Sequence, residues 1–230
     1  MGHRAKVLTA HGYQVAYRTC RKYRGSDEIA TQCVAIKGGA RFFAFKICHP
    51  VCEDHFRRIH SAQASIPNMA PILMPIEDVV LIGEAHGHML WDLEAAPDPD
   101  AVENGLDEFV RGAQAHGLIH GDLRPWNIFF DGERGVQVID WWSLSSFVDD
   151  LVRLGDQAPR RADLLEREGH YVKFHPDLVA QGKFTEIDQA DAMLIGKLVR
   201  GHVKLSDQQV WLGYYDSLGR FPWQESGRGG

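Results

Sequence analysis

Apolar and polar residues recur along this chain with two different periods, and the places where the period changes mark its elements. From 29 to 36 and from 41 to 47, β-branched and aromatic residues flank Lys37-Gly38-Gly39, which predicts a β-hairpin. In the second strand Ala44 and Lys46 share one face, while Phe43, Phe45 and Ile47 share the other. Residues 53–64 switch to a helical period through Phe56, Ile59 and Gln63. Two runs at 79–82 and 88–93 flank Gly83-Glu84-Ala85-His86-Gly87 and read as a second hairpin. Asp98-Pro99-Asp100 opens an amphipathic helix through Leu106, Phe109, Val110 and Ala113 that closes at Gly117. A third hairpin joins 128–130 to 136–139, and a last helical period runs through Ile195, Leu198 and Val199. Strands crowd the first half and helices the second, so the pattern predicts an α+β chain.

Composition narrows the class. With 230 residues, 44% of them hydrophobic, and a formal net charge of −6, the chain suits one compact domain, with room for two lobes. Mild acidity argues against nucleic acid as a partner. No apolar run approaches a membrane span, and no secretory signal opens the chain. Met1-Gly2 begins like an acylation signal, but Lys6 stands where Ser or Thr is required. The four cysteines at 20, 33, 48 and 52 give no disulfide framework, which fits a reducing, cytoplasmic setting. Cys48, His49, Cys52 and His55 match no standard zinc spacing. The expectation is a monomer with a flexible tail at 225–230.

The candidate chemistry lies around the third hairpin. Residues 120–127 read His-Gly-Asp-Leu-Arg-Pro-Trp-Asn, and Ile139-Asp140-Trp141 follows the return strand. The residue before the first strand of a hairpin and the residue after the second lie at the same end, so Asn127 and Asp140 should converge. An amide oxygen beside a carboxylate, with phosphate oxygens completing the shell, suits Mg²⁺. Asp122 stands earlier in the loop, placed to meet an incoming hydroxyl. The bland alternative for such an Asp is a turn or a helix cap.

The spacing of His120, Asp122 and Asn127, with Asp140 beyond, resembles the catalytic loop and metal-binding Asp of the protein-kinase-like superfamily. Leu123 and Pro125 match that loop as well, and Ala44-Phe45-Lys46 resembles the Ala-x-Lys of the third kinase strand. The resemblance implies a two-lobed fold, with a small antiparallel β-rich N-lobe over about 1–94 and a truncated, mainly helical C-lobe over about 95–224. It implies ATP and Mg²⁺ as cofactors, with Asn127 and Asp140 on the metal and Lys46 on the phosphates. Asp122 would accept the hydroxyl proton, and Arg124 would offset developing charge. Gly25 and Ser26 occupy the place of the phosphate-covering loop, beside Asp27 and Glu28 and with only one of the usual glycines. Glu53, in the first turn of the predicted helix, would pair with Lys46, and Asp92 to Ala96 would form the hinge.

Other strings within the resemblance point in two directions. Gly121 stands where many protein kinases carry an Arg that reads an activating phosphate, so activity should not wait for one. His175-Pro176-Asp177, and Asp191 with Gly196, resemble protein-kinase landmarks, the Asp bracing the catalytic loop; Asp149 or Asp150 is the rival brace. The Ile-Asp-Trp string instead resembles aminoglycoside and choline kinases. Their large helical substrate insert has no room between the hinge and His120. The expectation is therefore transfer of the ATP γ-phosphoryl group to Ser or Thr of a protein substrate. The alternatives are a small-molecule or glycan kinase, and a pseudokinase acting as a binding module.

Overall fold

A computed structural model describes residues 2–21, 29–46, 50–93, 95–121, 123–141, 177–178, 181–183 and 185–201. The chain divides into two compact units, one of residues 1–65 with 69–85, the other of 66–68 with 86–230.

The first unit holds helix α1 (His3–Ala10), strands β1 (Gln14–Arg21), β2 (Ile29–Lys37) and β3 (Ala40–Lys46), helix α2 (Pro50–Ala62), and strands β4 (Ile72–Ile76) and β5 (Val79–Gly83). The five strands form an antiparallel sheet in the order β1-β2-β3-β5-β4. The predicted hairpin turns at Gly38-Gly39, with Lys37 opposite Ala40. Val7 and Leu8 of α1 pack with Cys33, Ala35, Ala44, Val79 and Leu81 into one buried cluster. Three elements, α1, β1 and β4, have no counterpart among the elements expected from sequence. The α1 segment carries too few apolar residues for a clear period, and β4 is interrupted by Pro75 at a register shift. Gln63 holds the start of β4 by both backbone groups: its side chain donates to the Ile72 carbonyl and accepts from the Ile72 N–H, each at 2.8 Å.

The second unit holds the short strand β6 (His88–Met89), helix α3 (Pro99–Ala115), strands β7 (Ile128–Asp131) and β8 (Gly135–Val138), and helix α4 (Thr185–Val199). Asp98 caps α3 by accepting from the Asp100 N–H, and Pro99 fills the first turn, where no N–H is missed. Val102, Leu106, Phe109, Val110 and Ala113 form its buried stripe. At 131–135 the Asp131 carboxylate accepts from the Glu133 and Arg134 N–H groups. Those bonds, Glu133 first, hold its carboxyl below the usual carboxylate value.

Residues 88–93 do not return beside β5 as a hairpin; His88 and Met89 pair with Phe130 and Phe129 of β7 instead. The cause is local. Gly87 takes φ +80, and a Cβ there would sit 2.1 Å from the Phe130 carbonyl oxygen. Only glycine permits that approach, and the His86 N–H then reaches the Gln137 side chain at 2.9 Å. Gly87→Ala should therefore destabilise by about 2–4 kcal/mol, read as a lower urea midpoint with an unchanged m value.

Candidate active site

The third hairpin forms as its sequence predicts, with Ile128 opposite Val138. One step outside that pair, the Ile139 N–H donates to the Asn127 carbonyl at 2.9 Å. This bond carries the ladder to the open end of the hairpin and brings Asn127 beside the start of the Asp140 segment. Asn127 is buried and Asp140 half-buried. Asp140 also has φ 70, a left-handed conformation that a non-glycine residue adopts at a cost of about 1 kcal/mol. Such strain, at a carboxylate closing a strand, is the kind stored at functional sites.

The loop before the hairpin is tied from several sides. The His120 N–H donates to one Asp188 carboxylate oxygen at 2.6 Å, and the Gly121 N–H to the other at 2.7 Å. Gly121 takes φ 75, so the backbone conformation itself favours glycine. The His120 ring Nε2–H donates to the Ile139 carbonyl at 2.7 Å, joining the loop to the residue before Asp140. That ring lies 5.2 Å from Trp141 and 5.8 Å from Phe109, edge-on to both, in a buried aromatic cluster. His120 is thus a loop brace, and Trp141 is core. Farther along, the Asn127 N–H donates to the Arg124 carbonyl at 2.9 Å, closing a turn.

Asp188 and Asp191 lie three residues apart on the buried face of α4, among Ile187, Ile195, Leu198 and Val199. The backbone brace is Asp188, not the Asp191 that the sequence picks out. Asp191 instead faces Arg124 at 2.6 Å. Two acids at core positions of an apolar helix were the available signal, because buried carboxylates require partners. Asp149 and Asp150 lie outside the described residues.

Burial pushes the Asp188 carboxyl above the usual carboxylate range, with Asp191 adding to the rise; His120 and the two N–H donors oppose it. A raised value means the folded chain holds this proton more tightly than the unfolded one. Its contribution to stability is complete below the ordinary value of 3.8 and is lost as pH rises through the folded value. Asp188→Asn cannot titrate and should flatten this part of the profile. Denaturation midpoints of both proteins, followed upward from about pH 4, check this.

Of the other expected site residues, Lys46 ends β3 opposite Val79 and Glu53 lies within α2. Their side chains, and all of Gly25, Ser26 and Asp122, lie outside the described residues. So do His175 and Pro176. Within the expected hinge, Leu93, Ala95 and Ala96 line an open groove with Gly87, His88 and Phe130. No helix among the described residues is long and apolar enough to cross a membrane. The pair Asn127 and Asp140 offers hard oxygen donors, an amide carbonyl and a carboxylate, which fit Mg²⁺ and not a soft metal.

No curated protein matches the sequence. Among solved structures, the Cydia pomonella granulovirus kinase PK-1 is similar at 14% identity with a TM-score of 0.42. The match covers 60% of this chain and 54% of the viral one, so the chain spans about half the length of that relative. The profile of the phosphotransferase enzyme family (APH) matches residues 47–178, more than half of the sequence and all of the loop and hairpin just described. The chain therefore belongs to the phosphotransferase enzyme family, within the protein-kinase-like superfamily.

Proposed function

We propose that this phosphotransferase moves the γ-phosphoryl group of ATP onto an alcohol hydroxyl, using the loop at 120–127 and the carboxylate of Asp140. The observation that carries the reading is the Asn127–Ile139 bond, which sets Asn127 beside the segment carrying a strained Asp140. Asn127 and Asp140 are the residues that would hold Mg²⁺, which supplies neutralisation of phosphate charge when bound. Asp122 orients the acceptor hydroxyl and takes its proton as the oxygen attacks the γ-phosphorus. The bond to the bridging β–γ oxygen breaks, and ADP leaves with that oxygen. Lys46 steadies the phosphates, the Gly25-Ser26 backbone covers them, and Glu53 orients Lys46.

Two acceptor classes each have a specific observation behind them. Ser or Thr of a protein is favoured by the single helix α3 between the expected hinge and the loop, which leaves no helical substrate insert there. A small hydroxylated molecule is favoured by the family match and by the Ile139-Asp140-Trp141 string. Incubation with γ-labelled ATP and Mg²⁺, offered a mixed protein pool in one arm and aminoglycosides, choline and sugars in another, separates them. Label on Ser or Thr selects the first, and label on a small molecule selects the second. ATP binding with no transfer to either overturns the enzymatic reading in favour of a binding module.

A further inference from the structure

Arg124 stands where protein kinases commonly carry a Lys that meets the transferring phosphate, yet its side chain is 1% exposed. Nη1 faces Asp191 Oδ2 at 2.6 Å and donates to the Leu123 carbonyl at 2.7 Å. Asp191 is 0% exposed. A buried ion pair adds little net stability, because removing both charges from water costs about as much as their attraction returns. The best-attested use of such a pair is to fix register, and the surroundings of this one have a register to fix.

We propose that Arg124 is a positioning residue: its ion pair with Asp191 locks the turn that places Asn127, and through Asn127 the Asp140 segment, on helix α4. The connection is continuous in the bonds. Asp191 holds the Arg124 side chain; the Arg124 carbonyl accepts from the Asn127 N–H; the Asn127 carbonyl accepts from the Ile139 N–H; Asp140 follows. One turn earlier on α4, Asp188 grips the backbone of His120 and Gly121. Helix α4 thus grips the loop at two points, and in sequence Asp122 falls between them. Both contacts fall on one nitrogen, Nη1, whose two N–H bonds have fixed directions in the guanidinium plane, whereas an ammonium on a flexible stem has no such fixed pair.

This inference rests on the proposed phosphotransfer, and its test separates the two. Arg124→Lys, Arg124→Met, Asp191→Leu and the double variant Arg124→Met/Asp191→Leu are compared by thermal unfolding and by phosphoryl transfer. Arg124→Lys restores the residue a phosphate-contacting role would want, so that role predicts a retained kcat. Positioning predicts a kcat lower by roughly tenfold or more with KM for ATP nearly unchanged, since misplacement by about 1 Å can cost 10²-fold. Each Met or Leu single variant removes the opposite charge that faces the one left buried, and should unfold at markedly lower temperature. The double variant should recover most of the wild-type Tm and most of kcat. A double variant that regains Tm but keeps the kcat of Arg124→Met overturns the proposal, because the guanidinium then acts on the phosphates itself. Additive losses of Tm, with no recovery, overturn it as well. A wild type that transfers nothing removes the proposed function alone, and the Tm cycle still decides whether the pair locks the loop.

Discussion

Asp188→Ala should lower folding stability by about 3–5 kcal/mol and kcat by roughly 10²-fold. Two backbone N–H groups, those of His120 and Gly121, lose their acceptors in a region closed to water. Hydrogen bonds to a charged group contribute about 1.5–3 kcal/mol each, and an orphaned buried donor costs a similar amount. Loss of the desolvation cost of Asp188 itself returns part of that sum. In a chain of this length the shift in Tm is on the order of 10 °C. Asp188→Asn keeps one acceptor oxygen and should fall between Ala and wild type in both respects. Urea unfolding of the three proteins, with transfer rates measured where each is fully folded, checks the order.

Asp140→Gly should separate chemistry from folding. Glycine takes φ 70 without the Cβ clash, so the strain of about 1 kcal/mol is relieved. Greater backbone freedom in the unfolded chain offsets a similar amount, leaving stability within about 1 kcal/mol of wild type. Transfer should nevertheless drop by roughly 10³-fold or more, since the carboxylate that would hold Mg²⁺ is gone. Asp140→Ala loses the same carboxylate but keeps the strain, and should unfold at lower denaturant than the glycine variant. A residue whose removal relieves the backbone while abolishing activity is one retained for function at some cost in stability.

The legible parts of the molecule were those whose signal is local. The Gly38-Gly39 hairpin, the Asp98-capped helix α3 and the hairpin of β7 and β8 each carry their turn or cap chemistry beside their apolar period. The bond that sets Asn127 beside Ile139, the residue before Asp140, followed from the same hairpin. What sequence could not give depended on contacts distant along the chain. His88 pairs with Phe130 because Gly87 can press against a carbonyl that is remote in sequence. The grip of α4 on the loop joins residues nearly seventy positions apart, and spacing alone pointed to Asp191 where Asp188 holds the backbone. The depth of Arg124 is likewise a tertiary property. An Arg in a catalytic loop reads as a cation for phosphate until burial and a carboxylate partner are known.

Whether Asp140 serves phosphoryl transfer is tested most directly by transfer of label from γ-labelled ATP, with and without Mg²⁺, by wild-type protein and by Asp140→Gly shown to be folded. Mg²⁺-dependent transfer by the wild type, lost in the folded glycine variant, is the predicted result. Equal transfer by the two proteins, or none by the wild type across protein and small-molecule acceptors, would contradict a phosphotransferase that depends on Asp140.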